Sequence, residues 1–266
     1  MGIAILGAGV MGSTLLSAFI RAGHNVSDIT VSDKVEARRN EVALQHGVYA
    51  ADPANACRGS SVVVVAVKPQ DMRALLDDIC DNVEAGALVI SIAAGISTEF
   101  LENHLPTGTS VVRVMPNTPA LVDEAMSALA RGRHCTAAHG EQAEALLMTI
   151  GKVITLDEHH LDAVTALSGS GPAYIFYVVE AMIEAGVLLG LPRVTATELV
   201  VQTLYGAATM MRETGQHPTV LREQVSSPGG TSVAALRELE DHKVRAAFMT
   251  AIEAAARRST ELSAQD

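Results

Sequence analysis

Residues 3–22 read "IAILGAGVMGSTLLSAFIRA", and the fold turns on them. Ile3–Leu6 is a short apolar run of the kind that forms a buried strand. Met11–Ala22 has helical spacing. Between them Gly7-Ala8-Gly9-Val10-Met11-Gly12 matches G-x-G-x-x-G. Each glycine has a separate task in that motif. The first allows the tight turn, the second lets the backbone approach a pyrophosphate, and the third lets helix and strand pack closely. The helix N-terminus then aims its unpaired N–H groups at the phosphates. The motif alone is weak, but a preceding strand and a following helix are the context it requires. The stretch predicts a dinucleotide-binding βαβ unit.

Outward from there, strands and helices alternate. Ile29–Asp33 reads as a strand and Val35–His46 as a helix. Ser61–Val67, "SVVVVAV", is a β-branched run expected of a strand buried on both faces. Gln70–Asp81 is helical, and Ala87–Ala93 and Ser110–Val114 are further strands. Alternation of this kind predicts a doubly wound parallel sheet. From Asp157 the strand signals stop. Leu161–Leu167, Ala173–Leu189, Thr195–Thr214 and Ser232–Arg258 all read as helix. The expected division is a Rossmann-type domain over 1–157 and an all-helical substrate-binding and dimerisation domain over 158–266.

Composition narrows the partners. The chain has 266 residues and a formal net charge of −11, with no long basic run, which argues against nucleic acid. Aromatics make up 3% with no Trp, so base-stacking surfaces are also unsupported. Three scattered cysteines form no C-x-x-C, which fits a reducing, cytoplasmic setting and no thiolate metal site. No H-E-x-x-H or carboxylate cluster points to a metal, so none is expected. Ala173–Leu191 is apolar enough to imitate a membrane span, but it carries Glu180 and Glu184. Each acid would cost about 2.5–3.5 kcal/mol at a bilayer centre. A helix buried within a protein or dimer core is the better reading, and no membrane partner is expected. The helices Ala173–Leu189 and Thr195–Met211 are too apolar for a monomer surface, which predicts an obligate dimer.

In a doubly wound sheet, ligands lie outside the carboxyl ends of the strands. The second strand ends Ser32-Asp33-Lys34. Asp33 is placed to bond a ribose 2′-hydroxyl, as in NAD sites, while Ser32 and Lys34 suit a 2′-phosphate. The choice stays open between NADP and NAD, with NADPH favoured. Removing the Asp33 charge is expected to improve NADPH use. Ala66-Val67-Lys68-Pro69 places Lys68 directly after a buried strand, aimed at the crevice. Ala93-Ala94-Gly95 offers small side chains where a flat ring could lie. Met115-Pro116-Asn117 is a rigid loop whose Asn offers a carboxamide both a donor and an acceptor. Together these loops favour a nicotinamide pocket.

Motifs in a fixed order carry a resemblance: GAGVMG, AVKPQ, SIAAG, RVMPNTPALV, ALSGSGPAYIF and VSSPGGTSVAALRELE. In this the chain resembles the pyrroline-5-carboxylate reductases over nearly its whole length. The glycine loop is shared by many families; the pair SGSGPAY and SSPGGTS is specific. The resemblance implies an NAD(P)H-dependent reduction of 1-pyrroline-5-carboxylate to L-proline, the last step of proline synthesis. It also implies a helical domain interlocking two subunits, and often a ring of five dimers. Two departures stand out. Many members have a second Thr where this chain has Ser232, and many have a neutral or basic residue at Asp33.

On that reading Ser227, Gly229, Gly230, Thr231 and Ser232 are the candidate substrate site. Pro228-Gly229 favours a tight turn. Gly230 leaves N–H groups unshielded, and Thr231-Ser232 open a helix whose first amides lack intrahelical partners. The result is a backbone site for the substrate carboxylate. Ser232 and Lys68 are the catalytic candidates, Ser232 through a hydrogen bond to the ring nitrogen. Ser168–Tyr174, within SGSGPAY, is expected to break a helix near the same pocket. Two rivals remain. A β-hydroxyacid dehydrogenase would need a base, usually a Lys on a C-domain helix, yet no Lys lies between Val153 and His242. A non-catalytic dinucleotide-binding protein would have no use for SSPGGTS.

Overall fold

The computed structural model describes residues 1–263. Eight strands form one sheet: β1 (Ile3–Leu6), β2 (Ile29–Ser32), β3 (Tyr49–Ala50), β4 (Val62–Val65), β5 (Leu88–Ser91), β6 (Ser110–Met115), β7 (Ala125–Arg131) and β8 (Gly151–Thr155). Their order is β3-β2-β1-β4-β5-β6-β7-β8. Pairing is parallel from β3 through β6, antiparallel between β6 and β7, and parallel again between β7 and β8.

The helices are α1 (Val10–Arg21), α2 (Glu36–His46), α3 (Pro53–Cys57), α4 (Met72–Ile79), α5 (Thr98–His104), α6 (Ala137–Leu147), α7 (Leu161–Val164), α8 (Gly171–Leu188), α9 (Arg193–Thr214), α10 (Pro218–Gln224), α11 (Thr231–Asp241) and α12 (Val244–Ser263). The continuous apolar strands are explained by two cores. Ile3, Ile5, Val62, Val64, Leu88 and Ile90 face a core shared with α1, α2 and α6. Ala4, Leu6, Val63, Val65 and Val89 face the opposite core, with α3, α4 and α5.

The expected parallel sheet therefore holds for its first six strands and needs correcting at β7. There the chain reverses at Asp123, whose φ of 60° is left-handed. β7 still alternates like a strand buried on both faces. Ala125 and Leu129 join the first core, and Ala128 and Ala130 pack with Leu161.

By packing, the chain forms two compact units. One compact unit holds Met1–Ser170 together with the end of α12 from Ala255; the other holds Gly171–Ala254. The reason is a set of ties from the first helical turns to the sheet unit. Glu158 accepts hydrogen bonds from the Thr98 amide at 2.8 Å and the buried Arg113 guanidinium at 3.1 Å. Asp162 accepts from Ser259 at 2.7 Å and Thr260 at 3.0 Å.

Within Gly171–Ala254, α8 and α9 pack against each other. A Cβ on Gly186 would lie 3.0 Å from that of Ala196, so glycine is what permits the approach. The Glu158–Leu188 stretch is long and apolar enough to cross a membrane by length and composition. Contrary to a core helix, α8 has no buried residue in the single chain. Phe176 is 66% exposed and Tyr177 75%. Glu184 is held by Arg193 through two bonds, at 2.7 and 3.1 Å. That hydrogen bonding, with the Arg charge, lowers the Glu184 pKa. The continuous helix expected over Ser232–Arg258 is two helices, parted at Lys243 with φ 56°.

Candidate functional site

The sheet order puts β1 between β2 and β4. Outside their carboxyl ends lies a groove of about 590 Å³. Its walls include Gly7 and Gly9 from the β1–α1 loop, Ser32–Lys34 after β2, and Ala66–Lys68 after β4. The glycine loop is shaped by close packing. Gly7 has φ 112°, and a Cβ there would lie 2.5 Å from the Ala66 carbonyl oxygen. A Cβ on Gly12 would overlap the Gly7 carbonyl. A Cβ on Gly9 meets nothing within 4 Å, so that glycine faces the open groove. Gly9 begins α1, and no side chain caps the helix. Val10 and Met11 form its first turn. A glycine cradle, an uncapped helix N-terminus and an open wall fit a dinucleotide pyrophosphate.

Asp33 has a second task that the sequence did not reveal. Its Oδ2 accepts from the Ala8 amide at 2.9 Å, and its Oδ1 from the Val35 amide at 2.8 Å. The carboxylate is 92% removed from solvent by this packing, with 8% exposure, and Arg38 stands 3.8 Å from Oδ2. It is a strut beneath the glycine loop. Against the expected gain in NADPH use on removing its charge stands a cost: losing the carboxylate would release the Ala8 amide. Ser32 is 1% exposed, and its carbonyl accepts from the Gly7 amide at 2.8 Å. Its hydroxyl has no partner, an unsatisfied polar atom in the groove wall.

Lys68 lies exposed in the groove after β4, and Pro69 opens the short turn behind it. The groove walls do not include Ala93–Gly95 or Met115–Asn117. Those loops stand at the carboxyl ends of β5 and β6, the next two strands along the same sheet edge. Gly95 has φ 83°, and a Cβ there would lie 3.6 Å from the Ser263 amide nitrogen at the end of α12. Asn117 has internal partners for both ends of its amide. Its Nδ2 donates to the Ser168 carbonyl at 3.1 Å, and its Oδ1 accepts from the Met126 amide at 2.9 Å. It staples the β6 loop to SGSG. That motif interrupts the regular helix, as expected: α7 ends at Val164 and α8 begins at Gly171. Thr165–Gly169 winds as a π turn, with the Ser170 amide donating to Thr165 at 2.8 Å. Gly169 allows it, since a Cβ would lie 2.6 Å from Met115 Cε.

In the other unit, Ser227–Gly230 is a tight turn closed by a 2.9 Å bond from the Gly230 amide to Ser227 O. Gly229 has φ 70°, the conformation that position i+2 of a type II turn demands. Gly230 begins α11 with no side-chain cap, so the amides at Thr231 and Ser232 open the helix unshielded. Among the groove residues that escaped the sequence reading are Arg38 and Asp71. Arg38 sits in "EARRNE", which reads as a solvated helix face. Asp71 was hidden in the helix expected from Gln70.

Comparison with known proteins matches two family models. Residues 158–262 match the family model for pyrroline-5-carboxylate reductase dimerisation. Residues 2–95 match the model for NADP oxidoreductase, coenzyme F420-dependent. A pyrroline-5-carboxylate reductase of Corynebacterium melassecola is 47% identical over 264 residues, covering 98% of each chain. The solved pyrroline-5-carboxylate reductase of Coxiella burnetii superposes with TM-score 0.92 at 35% identity, covering 98% of each chain. The Plasmodium falciparum pyrroline carboxylate reductase, solved with NADP bound, gives TM-score 0.89 at 28% identity, over 99% of this chain and 98% of that one.

Proposed function

The chain belongs to the pyrroline-5-carboxylate reductase family, and we propose that it reduces 1-pyrroline-5-carboxylate to L-proline with NADPH as the preferred donor and NADH as a second one. The observation that carries this is 47% identity to a reductase of that name along 98% of both chains. The glycine cradle between β1 and α1 supports it independently.

Bound in the groove, NADPH supplies the hydride, so the protein needs no nucleophile. What remains is placement. Gly7, Gly9 and the first turn of α1 hold the pyrophosphate, and Asp33 holds the loop that does so. Lys68, at the end of β4, contributes positive charge beside the cofactor. Asn117 fixes the Met115–Asn117 loop, and Ala93–Gly95 leave room for a flat ring. The Ser227–Ser232 turn binds the substrate carboxylate on backbone N–H groups. Ser232 Oγ would hydrogen-bond the ring nitrogen, which takes up one proton from solvent water for each hydride the adjacent carbon receives from the cofactor. The exposed apolar faces of α8 and α9 are covered in a homodimer, and five such dimers form the larger ring. A cytoplasmic location fits the scattered free cysteines.

Turnover with pyrroline-5-carboxylate and each cofactor is the test. One proline should form per NADPH consumed, with slower NADH use. Absence of turnover with both cofactors would overturn the reading.

A further inference from the structure

We propose that Asp71 sets the nucleotide preference of the groove by competing with the cofactor 2′-phosphate for Lys34. This rests on the reading of the groove as an NADPH site.

The geometry is specific. Lys34 follows β2 and Asp71 follows β4, 37 residues later, and their ion pair is 2.7 Å long. Both residues line the groove. Asp71 closes the short turn Pro69–Asp71 at the start of α4, so the bond ties the loop after β2 to the loop after β4, the strands on either side of β1. The glycine loop follows β1. The pair is therefore a clasp across the groove, at the β2 end where the ribose belongs in this fold.

Of the three acids that line the groove, Asp33, Asp71 and Asp78, Asp71 is the one paired with Lys34. Asp33 is committed to two backbone amides and faces Arg38. It cannot turn away without freeing the loop. Lys34 is 71% exposed at its side chain, on a flexible stem that can change partners. A phosphate monoester carries about −1.5 to −2 charges at neutral pH. It outcompetes a single carboxylate for the Lys34 ammonium. A 2′-hydroxyl does not, so NADH leaves the clasp closed. Asp71 thus weakens phosphorylated cofactor selectively, because only that cofactor must break the pair to gain Lys34.

Adenosine 2′,5′-bisphosphate and 5′-AMP differ only by the phosphate in question. Calorimetric titration of both into wild type, Asp71→Asn, Lys34→Gln and the double variant reads the competition without turnover. Asp71 makes no capping bond to α4, so Asn costs no helix cap there. Asp71→Asn should tighten the bisphosphate relative to AMP by roughly 2- to 5-fold, the range expected for releasing an exposed ion pair. Lys34→Gln should lower the same ratio by about 5-fold or more, as for a lost charge-assisted bond. In the Lys34→Gln background, Asp71→Asn should move the ratio by less than about 2-fold, since the partner for which it competes is gone. The kcat/KM ratio for NADPH over NADH should follow the binding ratio. An unchanged ratio in Asp71→Asn would overturn the proposal. So would a gain that persists without Lys34, which would mark plain repulsion between Asp71 and the phosphate. A protein that binds the bisphosphate as expected but turns over neither cofactor would refute the reductase reading and leave the clasp standing.

Discussion

Two glycine-rich turns open helices in this chain, and they are built in opposite ways. Gly7–Gly12 leads into α1 and Ser227–Gly230 into α11, and neither helix has a side-chain cap. Locally they are the same device, a row of free amides at a helix start. The first is made by tertiary contact. Gly7 and Gly12 have no room for a Cβ, and Asp33 holds the loop from the next strand. The second is made by its own turn chemistry. Gly229 has a left-handed φ but nothing within 4 Å of its missing Cβ, and Ser227–Gly229 are exposed. A site can therefore be welded into a core or carried on a freestanding turn. The two should respond differently to mutation.

Gly7→Ala should show the largest effect. It combines a φ of 112° with a Cβ placed against the Ala66 carbonyl. We expect about 3–5 kcal/mol of lost stability in urea denaturation, with dinucleotide binding abolished. Near wild-type stability would end the claim that this loop is set by packing. Asp33→Ser comes next. Losing a charged acceptor from two backbone amides should cost about 1.5–3 kcal/mol, seen as roughly 10- to 150-fold weaker binding of NADPH and NADH alike. Fluorescence titration of both nucleotides decides it, and a selective gain in NADPH affinity would show that repulsion matters more than the strut.

On the freestanding turn, Ser232→Ala should leave the melting temperature in place and lower kcat/KM by about 1–3 kcal/mol, roughly 5- to 150-fold. Ser232→Thr, which keeps the hydroxyl, should be close to neutral. Full activity in Ser232→Ala would remove the ring-nitrogen contact from the mechanism. Gly229→Ala is the mildest. With open space around it, the only cost is the left-handed backbone, about 1 kcal/mol by thermal denaturation. A loss as large as that of Gly7→Ala would erase the contrast between the turns.

The strands of the first half were legible because each is buried on both faces, so β4 is simply "VVVV". β7 was not. Its sequence AMSALAR favours helix by propensity, and its strand form comes from pairing with β6 and β8. β8 is half exposed and opens on Gly151 at φ 147°, so it has no apolar run to announce it. SGSG was legible as unusual but not as a π turn, because that shape depends on Met115 and Asn117, more than forty residues earlier.

By itself the sequence determined the dinucleotide-binding unit, the switch to helices and the two glycine turns. These depend on backbone freedom and on periodicity, which are local properties of the chain. Tertiary structure alone decided that Asp33 is a strut, that Asn117 is a staple and that Asp71 closes on Lys34. An ionised or amide side chain takes its meaning from what lies within about 3 Å of it, and those neighbours come from strands and loops far away in sequence.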